Sequence, residues 1–460
     1  MTVRRSTDST GDRQELYRRY LRENPRMLRA VEGMPPAGGP AEVACRYVLA
    51  PALGAFTHWL LECCMKKGIR RLYFLARDGY FFYQAALLFC RAYRLPVECR
   101  YLSCSRYSLR IPLFHRDIEA ALDAVCRSGL DVTPEKLMGR AGLTGEETER
   151  VLSLLSLPCG REERIPYAAL PEMRQRLKSC DVFLSCMEKH SREALPGLTG
   201  YLEQEGLLEN TADAVVDSGW TGSMQKSLGD VLKYMGRTRK LEGYYWGLYE
   251  LPAGVERSAY HSYYFSPEGG LKEKVHFNNC LFEAVYTAPH GMTLGYRKMG
   301  DRFVPRYGEI PAARKAFVEQ TGDSLMRYIR KLTEEEWRPA DLAADRSVLY
   351  NLFRAFMGNP SRQEAKVFGS LPFSDDVLEG RERPIAVRLS EQELRANHAL
   401  PKLLAMTGVR KSAFRESAWY EGSAVRSGVH ARRHLRQHVL YQYLRYGRKI
   451  LQARKRRREV

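Results

Sequence analysis

Negative charge is scarce in this 460-residue chain: 54 Asp and Glu stand against 73 Lys and Arg, for a net +19. That balance excludes a polyacidic segment and predicts an anionic partner, whether phosphorylated substrate, membrane surface or nucleic acid. The eleven cysteines contain no CxxC pair. They are scattered, with Cys63 and Cys64 adjacent and Cys99 and Cys104 at one strand and its exit. This usage argues against a zinc site or a disulfide framework and for reduced thiols. The side chains alone assign no metal-ligand set. No run of about eighteen apolar residues occurs, so no membrane span is expected. Met1 to Arg19 is polar and charged, unlike a secretory leader, and the expected location is the cytoplasm.

What is present divides the chain into four parts. Residues 1–40 read as an arm and linker, with a short helix from Arg13 to Val31 and a break at Pro35-Pro36-Ala37-Gly38-Gly39-Pro40. Residues 41–300 read as an α/β domain, 301–429 as a helical region and 430–460 as a basic amphipathic tail. Helical apolar spacing from Ala41 to Lys67 ends at Gly68. Leu72 to Ala76 then has the character of a buried strand, and Tyr80 to Tyr93 that of the helix after it. The turn between them is Arg77-Asp78-Gly79. A strand at Val97 to Leu102 follows and exits through Ser105-Arg106. Strand, helix, strand in this order forms a right-handed unit whose exit loops share one sheet edge. Two arginines at successive strand ends, Arg77 and Arg106, suit an anion site.

Residues 117–210 read as helical throughout, an insertion covering that edge. Ala212 to Val216 returns the chain to the sheet and ends in Asp217, at the carboxyl end where open α/β sheets bind ligands. Gly219 and Gly222 permit close backbone approach, and Thr221 and Ser223 offer hydroxyls around Trp220. A helix opens next, with Gln225 in its first turn and free amides at its start. Such a stretch builds a phosphate cradle; an ordinary tight turn is the alternative. Lys240 to Leu248 supplies a further strand, giving a sheet of at least four. Further on, Glu283 sits in an apolar helical context and His290 on a Pro/Gly loop. They read either as a general base or acceptor-binding pair, or as a satisfied buried carboxylate and a surface histidine.

Three templates compete for these loops. A haloacid-dehalogenase-type phosphatase needs a second Asp two residues after its nucleophile, but Tyr80 follows Asp78 and Gly219 follows Asp217 at that spacing. A methyltransferase places its acidic, glycine-bearing loop after the first strand, whereas here it comes late. A type I phosphoribosyltransferase has a pyrophosphate-binding turn after an early strand, a flap, and a later acidic strand end with a Thr/Gly loop for the 5-phosphate. The chain presents these in that order. The expected fold is therefore a parallel-sheet, Rossmann-like (type I phosphoribosyltransferase-like) core with a large helical insertion and a helical C-terminal region. From His430 to Val460 there are eleven Lys/Arg and one Glu. Val439, Leu440, Tyr443, Leu444, Ile450 and Leu451 lie among them, as in a helix lying on an anionic membrane surface. A nucleic-acid patch or a solvated tail are the lesser alternatives.

The stretches Phe74–Tyr80, Tyr101–Arg106, Val216–Gln225 and Glu283–Gly295 together resemble a family of large bacterial proteins. These occur in surface-polysaccharide assembly and are often labelled predicted haloacid-dehalogenase-superfamily hydrolases. The resemblance covers roughly Ala41 to Arg297 and lacks the phosphatase signature. It implies a phosphoribosyltransferase-like glycosyltransferase that moves 5-phosphoribosyl from phosphoribosyl pyrophosphate to a lipid-linked glycan acceptor. Mg²⁺ would arrive with the pyrophosphate donor. Arg77, Asp78, Gly79, Ser105 and Arg106 would meet the pyrophosphate, and Gly219, Trp220, Thr221, Gly222, Ser223 and Gln225 the 5-phosphate side. Asp217 would hold the ribose hydroxyls, with Glu283 or His290 as base. A single Asp217 and Thr221 and a shorter loop depart from the usual phosphoribosyltransferase pattern. A hydrolase or a non-catalytic scaffold of the same pathway are the alternatives.

Overall fold

Every side chain of the first strand is buried, which fixes it at the centre of the sheet rather than at an edge. The computed structural model describes residues 9–129, 132–155, 157, 160–373, 383–406 and 416–458. In chain order the elements that matter to the site are α1 (Ala50–Lys67), β1 (Arg71–Leu75), α2 (Tyr80–Tyr93), β2 (Glu98–Leu102) and α3 (Arg106–Arg110). After the helices of the insertion come α4 (Asp181–Gln204), β3 (Asp213–Trp220), α5 (Ser223–Tyr234), β4 (Glu242–Leu248) and β5 (Tyr260–Phe265). Then follow α6 (Asn279–Val285), β6 (Thr293–Met299), β7 (Arg302–Tyr307), α7 (Ala312–Leu332), α8 (Leu342–Phe356) and α9 (Ala431–Arg458).

The five strands pair in the order β2-β1-β3-β4-β5, all parallel. The chain first steps from β1 to β2, then returns to the opposite side of β1 and continues through β3 to β5. That reversal creates a topological switch point between the carboxyl ends of β1 and β3, where such sheets bind ligands. The Rossmann-like α/β expectation holds in this form. β5 was not anticipated, nor was the antiparallel hairpin β6–β7.

Strand alternation divides the core into two. Leu72, Phe74, Ala214, Val216, Tyr244, Trp246 and Tyr263 face one side, with α1, α2, α6, α7 and α8 packed over them. Tyr73, Leu75 and Val215 face the other, beneath α4 and α5. The insertion carries its own core around Leu122, Leu137, Val151, Phe183 and Met187. Both sheet faces are thus covered, which is why the strands read as continuous apolar runs.

One sequence expectation changes. The first forty residues are no detached arm: helices Thr10–Leu21 and Pro25–Glu32, separated at Pro25, bury Tyr17, Leu21, Met27 and Val31. The buried Arg13–Glu364 pair, 2.9 Å apart, fastens them to the helix that follows α8. The helical run Pro40–Lys67 is long and apolar enough to cross a membrane, but 83% of its most apolar window is buried inside the protein. Its apolar surface is occupied by the core; Phe56 alone meets Trp59, Phe82, Trp246 and Tyr263.

β3 is pinned at its start by charge. Asp213, with no side-chain exposure, accepts from Arg237 at 2.6 and 2.9 Å, and Arg239 lies at 3.0 Å. Removing the carboxylate leaves a buried guanidinium uncompensated. Asp213→Ala should therefore lower the unfolding free energy by about 3–5 kcal/mol. Urea denaturation checks this, and a loss below about 1 kcal/mol, typical of a surface ion pair, would contradict it.

Candidate functional site

At the switch point, β1 and β3 part company after the Phe74–Val216 pair, and their next residues turn towards one cavity of about 280 Å³. Asp78 comes from the turn after β1. Its chain reversal is tight: Gly79 N–H donates to Leu75 O at 2.9 Å, and a Cβ on Gly79 would stand 2.5 Å from that oxygen. Gly79 therefore shapes the turn and does not line the cavity. The Ala76–Arg77 peptide is cis, and Arg77 lies on the cavity wall.

Across the opening, Asp217 and Ser218 end the buried part of β3. Ser218 Oγ donates to Asp78 Oδ2 at 2.5 Å, so a hydroxyl of one strand end binds the carboxylate of the other. Gly219 (φ 110°) and Trp220 (φ 64°) both take left-handed backbone conformations. For tryptophan that conformation is strained and needs an over-determining environment. The environment is aromatic: the Trp220 ring lies against Tyr249, Phe265, Phe277 and Phe282. Trp220 Nε1–H donates to Glu283 on α6, which aims that carboxylate at the cavity. Gly222, also left-handed (φ 61°), opens α5 with no side-chain cap on its first amides, beside the cavity-lining Ser223 and Met224. Thr221 and Ser223 line the wall there.

Arginines frame the acids. Arg77 and Arg106 both lie close enough to Asp78 to favour its ionised form. Arg127, from the insertion, also lines the cavity. Arg110, one turn after Arg106, is held down to about 10 by burial, then by repulsion from Arg106 and Arg127. Positive charge is therefore crowded around Arg110, a condition that a nearby anion relieves. Ser105 caps α3 and donates to Thr293 O at 2.6 Å, tying the loop after β2 to the hairpin.

Of the residues expected from sequence, Arg77, Asp78, Ser105, Arg106, Asp217, Gly219, Trp220, Thr221, Ser223 and Glu283 line this one cavity. Gly79 and Gly222 shape its turns. Gln225 does not reach it: its Nε2 donates to Leu241 O (2.6 Å) and Ala259 O (3.2 Å), and Tyr245 OH donates to its Oε1 at 2.5 Å. Its amide thus ties α5 to the segments entering β4 and β5. His290 is not part of the lining; its Nε2 is 2.8 Å from Tyr101 OH, its Nδ1 2.8 Å from Gly291 O and its ring 4.1 Å from Tyr307. Arg127, Asn279, Cys280, Thr293 and Phe373 also line the wall without having been expected there: Arg127 and Phe373 come from elements distant in the chain, and Asn279, Cys280 and Thr293, though near Glu283, carry no charge or motif to single them out.

The acid pair sets the electrostatics. Burial pushes Asp217 up to about 7, and the neighbouring Asp78 carboxylate adds to this; Ser218 N–H, Arg106 and Gly219 N–H oppose it. Asp78 is also raised by burial, against the pull of Ser218, Arg77 and Arg106. Among the described residues no three ligating side chains gather to cage a metal. Two carboxylates that repel in a desolvated site do, however, fit a hard cation that brings its other oxygen ligands on a phosphate.

A scan against protein-family models finds no match, and no curated protein matches the sequence.

Because Asp217 binds its proton more tightly folded than unfolded, its contribution is most favourable at acid pH and is lost as pH rises towards about 7. Asp217→Asn should raise the thermal midpoint at pH 8 and change it little at pH 4. A gain of equal size at both values, by differential scanning fluorimetry, would contradict the raised carboxylate.

Proposed function

We propose that the cavity transfers a 5-phosphoribosyl, or closely related sugar-phosphate, group from a diphosphate donor to a hydroxyl of a lipid-linked glycan in bacterial surface-polysaccharide assembly. One observation carries this reading: an arginine-framed cavity at the β1/β3 switch point that also contains a buried acid pair and an uncapped helix N-terminus. A phosphate-only site has no use for the acids, and a sugar-only site none for the arginines. A donor carrying a diphosphate, ribose hydroxyls and a second phosphate uses all three.

In this reading Arg77, Arg106 and Arg127 neutralise the departing diphosphate as the bond from ribose C1 to its oxygen breaks. The α5 amides, with Thr221 and Ser223, hold the 5-phosphate. Asp217 accepts hydrogen bonds from ribose hydroxyls and offsets the positive charge that develops at C1, as carboxylates do in glycosidic transition states. Asp78 and Asp217 would hold the Mg²⁺ carried by the donor, which would neutralise part of the diphosphate charge. The acceptor oxygen bonds to C1, and its proton passes to Glu283, oriented by Trp220. His290 is separated from the cavity and holds Tyr101 and the hairpin instead. A haloacid-dehalogenase hydrolysis lacks its second carboxylate, since Tyr80 and Gly219 occupy the required positions.

Incubation with phosphoribosyl pyrophosphate, Mg²⁺ and undecaprenyl-linked glycans should release pyrophosphate. Arg106→Gln should weaken donor binding about 10–100-fold, the range for a lost hydrogen bond to a charged group. Glu283→Gln should retain donor binding yet lower kcat about 10²–10⁴-fold, as for loss of a general base, while His290→Ala stays within a few-fold of wild type. Failure to bind the donor in calorimetry, together with no pyrophosphate release for any acceptor, would overturn the proposal.

A further inference from the structure

The basic tail is not a free appendage. α9 runs for 28 residues, about 42 Å at 1.5 Å per residue, and lays one face on the body. His434, Leu435, His438, Tyr441, Tyr446 and Ile450 are buried there. Tyr446 stacks on Tyr249 at 5.2 Å, Lys449 reaches Glu250 at 3.4 Å and Arg454 donates to Glu268 O at 2.9 Å.

The opposite face has a different composition. Leu440, Leu444 and Leu451 are 49%, 49% and 66% exposed, spaced four and seven residues apart and therefore on one stripe of the helix. Arg433 and Arg436 continue the stripe towards the N-terminus. Single exposed leucines are unremarkable, but a leucine stripe opposite a helix's buried face and flanked by arginines is the pattern of an interfacial helix.

Beside the first turns of α9 opens a groove of about 900 Å³, walled on its other side by residues 359–362. Arg362, Arg432, Arg433 and Arg436 line it with His430, and among the described residues no acidic side chain does. Arg432, Arg433 and Arg436 make no ion pair with any described residue. The first turn of α9 contains no acid either, so the arginines crowd the positive end of the helix dipole, where cations are unfavourable. An anion in the groove relieves both repulsions.

We propose that this groove binds the phosphate headgroup of an anionic phospholipid while Leu440, Leu444 and Leu451 enter the acyl boundary. A soluble phosphate compound would account for the groove and leave the leucines unexplained. The docked helix would itself be joined to the cavity wall, since Tyr446 on its buried face stacks on Tyr249, a ring contact of Trp220 (5.2 and 6.0 Å). The proposal does not depend on which donor the cavity takes.

Co-sedimentation of the full chain with phosphatidylcholine vesicles, with and without phosphatidylglycerol, tests it. Wild type should bind the anionic vesicles in a salt-sensitive manner and the neutral ones weakly. R432Q/R433Q/R436Q should weaken anionic binding at least about tenfold. L440S/L444S/L451S should also weaken it, while leaving calorimetric binding of glycerol phosphate unchanged. Both variants should keep the wild-type melting profile and bind phosphoribosyl pyrophosphate as wild type does. Equal binding of neutral and anionic vesicles would overturn the proposal. So would unchanged vesicle binding by either variant, or groove binding confined to glycerol phosphate or nucleic acid.

Discussion

Two carboxylates that repel one another are held side by side where β1 and β3 diverge, and much of the architecture maintains that arrangement. The parallel pairing of β1 and β3 determines how closely the strand ends approach. Gly79 folds the turn after β1 tightly enough to present Asp78, and Ser218 anchors it from β3. Burial raises the proton affinity of both acids, so their mutual repulsion is held in place rather than screened by solvent. Such a pair is costly as structure alone; it suits a site where cationic groups or a metal–phosphate ligand complete the charge balance.

The surrounding elements supply that balance from three directions. The loop after β2 brings Arg106, the insertion brings Arg127, and the turn after β1 brings Arg77. α5 contributes its uncapped amides. On the far wall the strained Trp220 is wedged among aromatic rings that belong to β5 and α6, and through its indole N–H it sets the direction of Glu283. The C-terminal helical region backs one face of the sheet, and α9 touches Tyr249, a ring contact of Trp220. The site is thus a composite of sheet, insertion and C-terminal region.

Much of this was legible in the sequence because parallel strands buried on both faces leave continuous apolar runs, and their exits carry the chemistry. Leu72–Leu75 and Ala214–Val216 announced themselves in that way, and the acids and arginines followed directly. β5 did not, because Tyr260, His261 and Ser262 are only half buried and their polar groups mimic a loop. The first helices looked like an arm because their burying partners, Glu364 among them, lie more than three hundred residues away. Gln225 was misdirected for a different reason. It precedes Leu228 by three residues and Leu232 by seven, so helical spacing already placed it on the buried face of α5. His290 illustrates the converse: a loop histidine beside glycine and proline carries no sequence signal for which side of a wall it occupies.

In the proposed reaction a donor diphosphate, with its cation, completes the charge of the Asp78–Asp217 pair. Calorimetry of Mg²⁺–phosphoribosyl pyrophosphate binding near pH 6, repeated in buffers of different ionisation heat, counts the protons exchanged. Since Asp217 is held up to about 7 in the free protein, binding should release about one proton from the protein beyond that of the donor. Asp217→Asn should abolish that release. Binding that releases no proton, or a release that survives the substitution, would contradict the account.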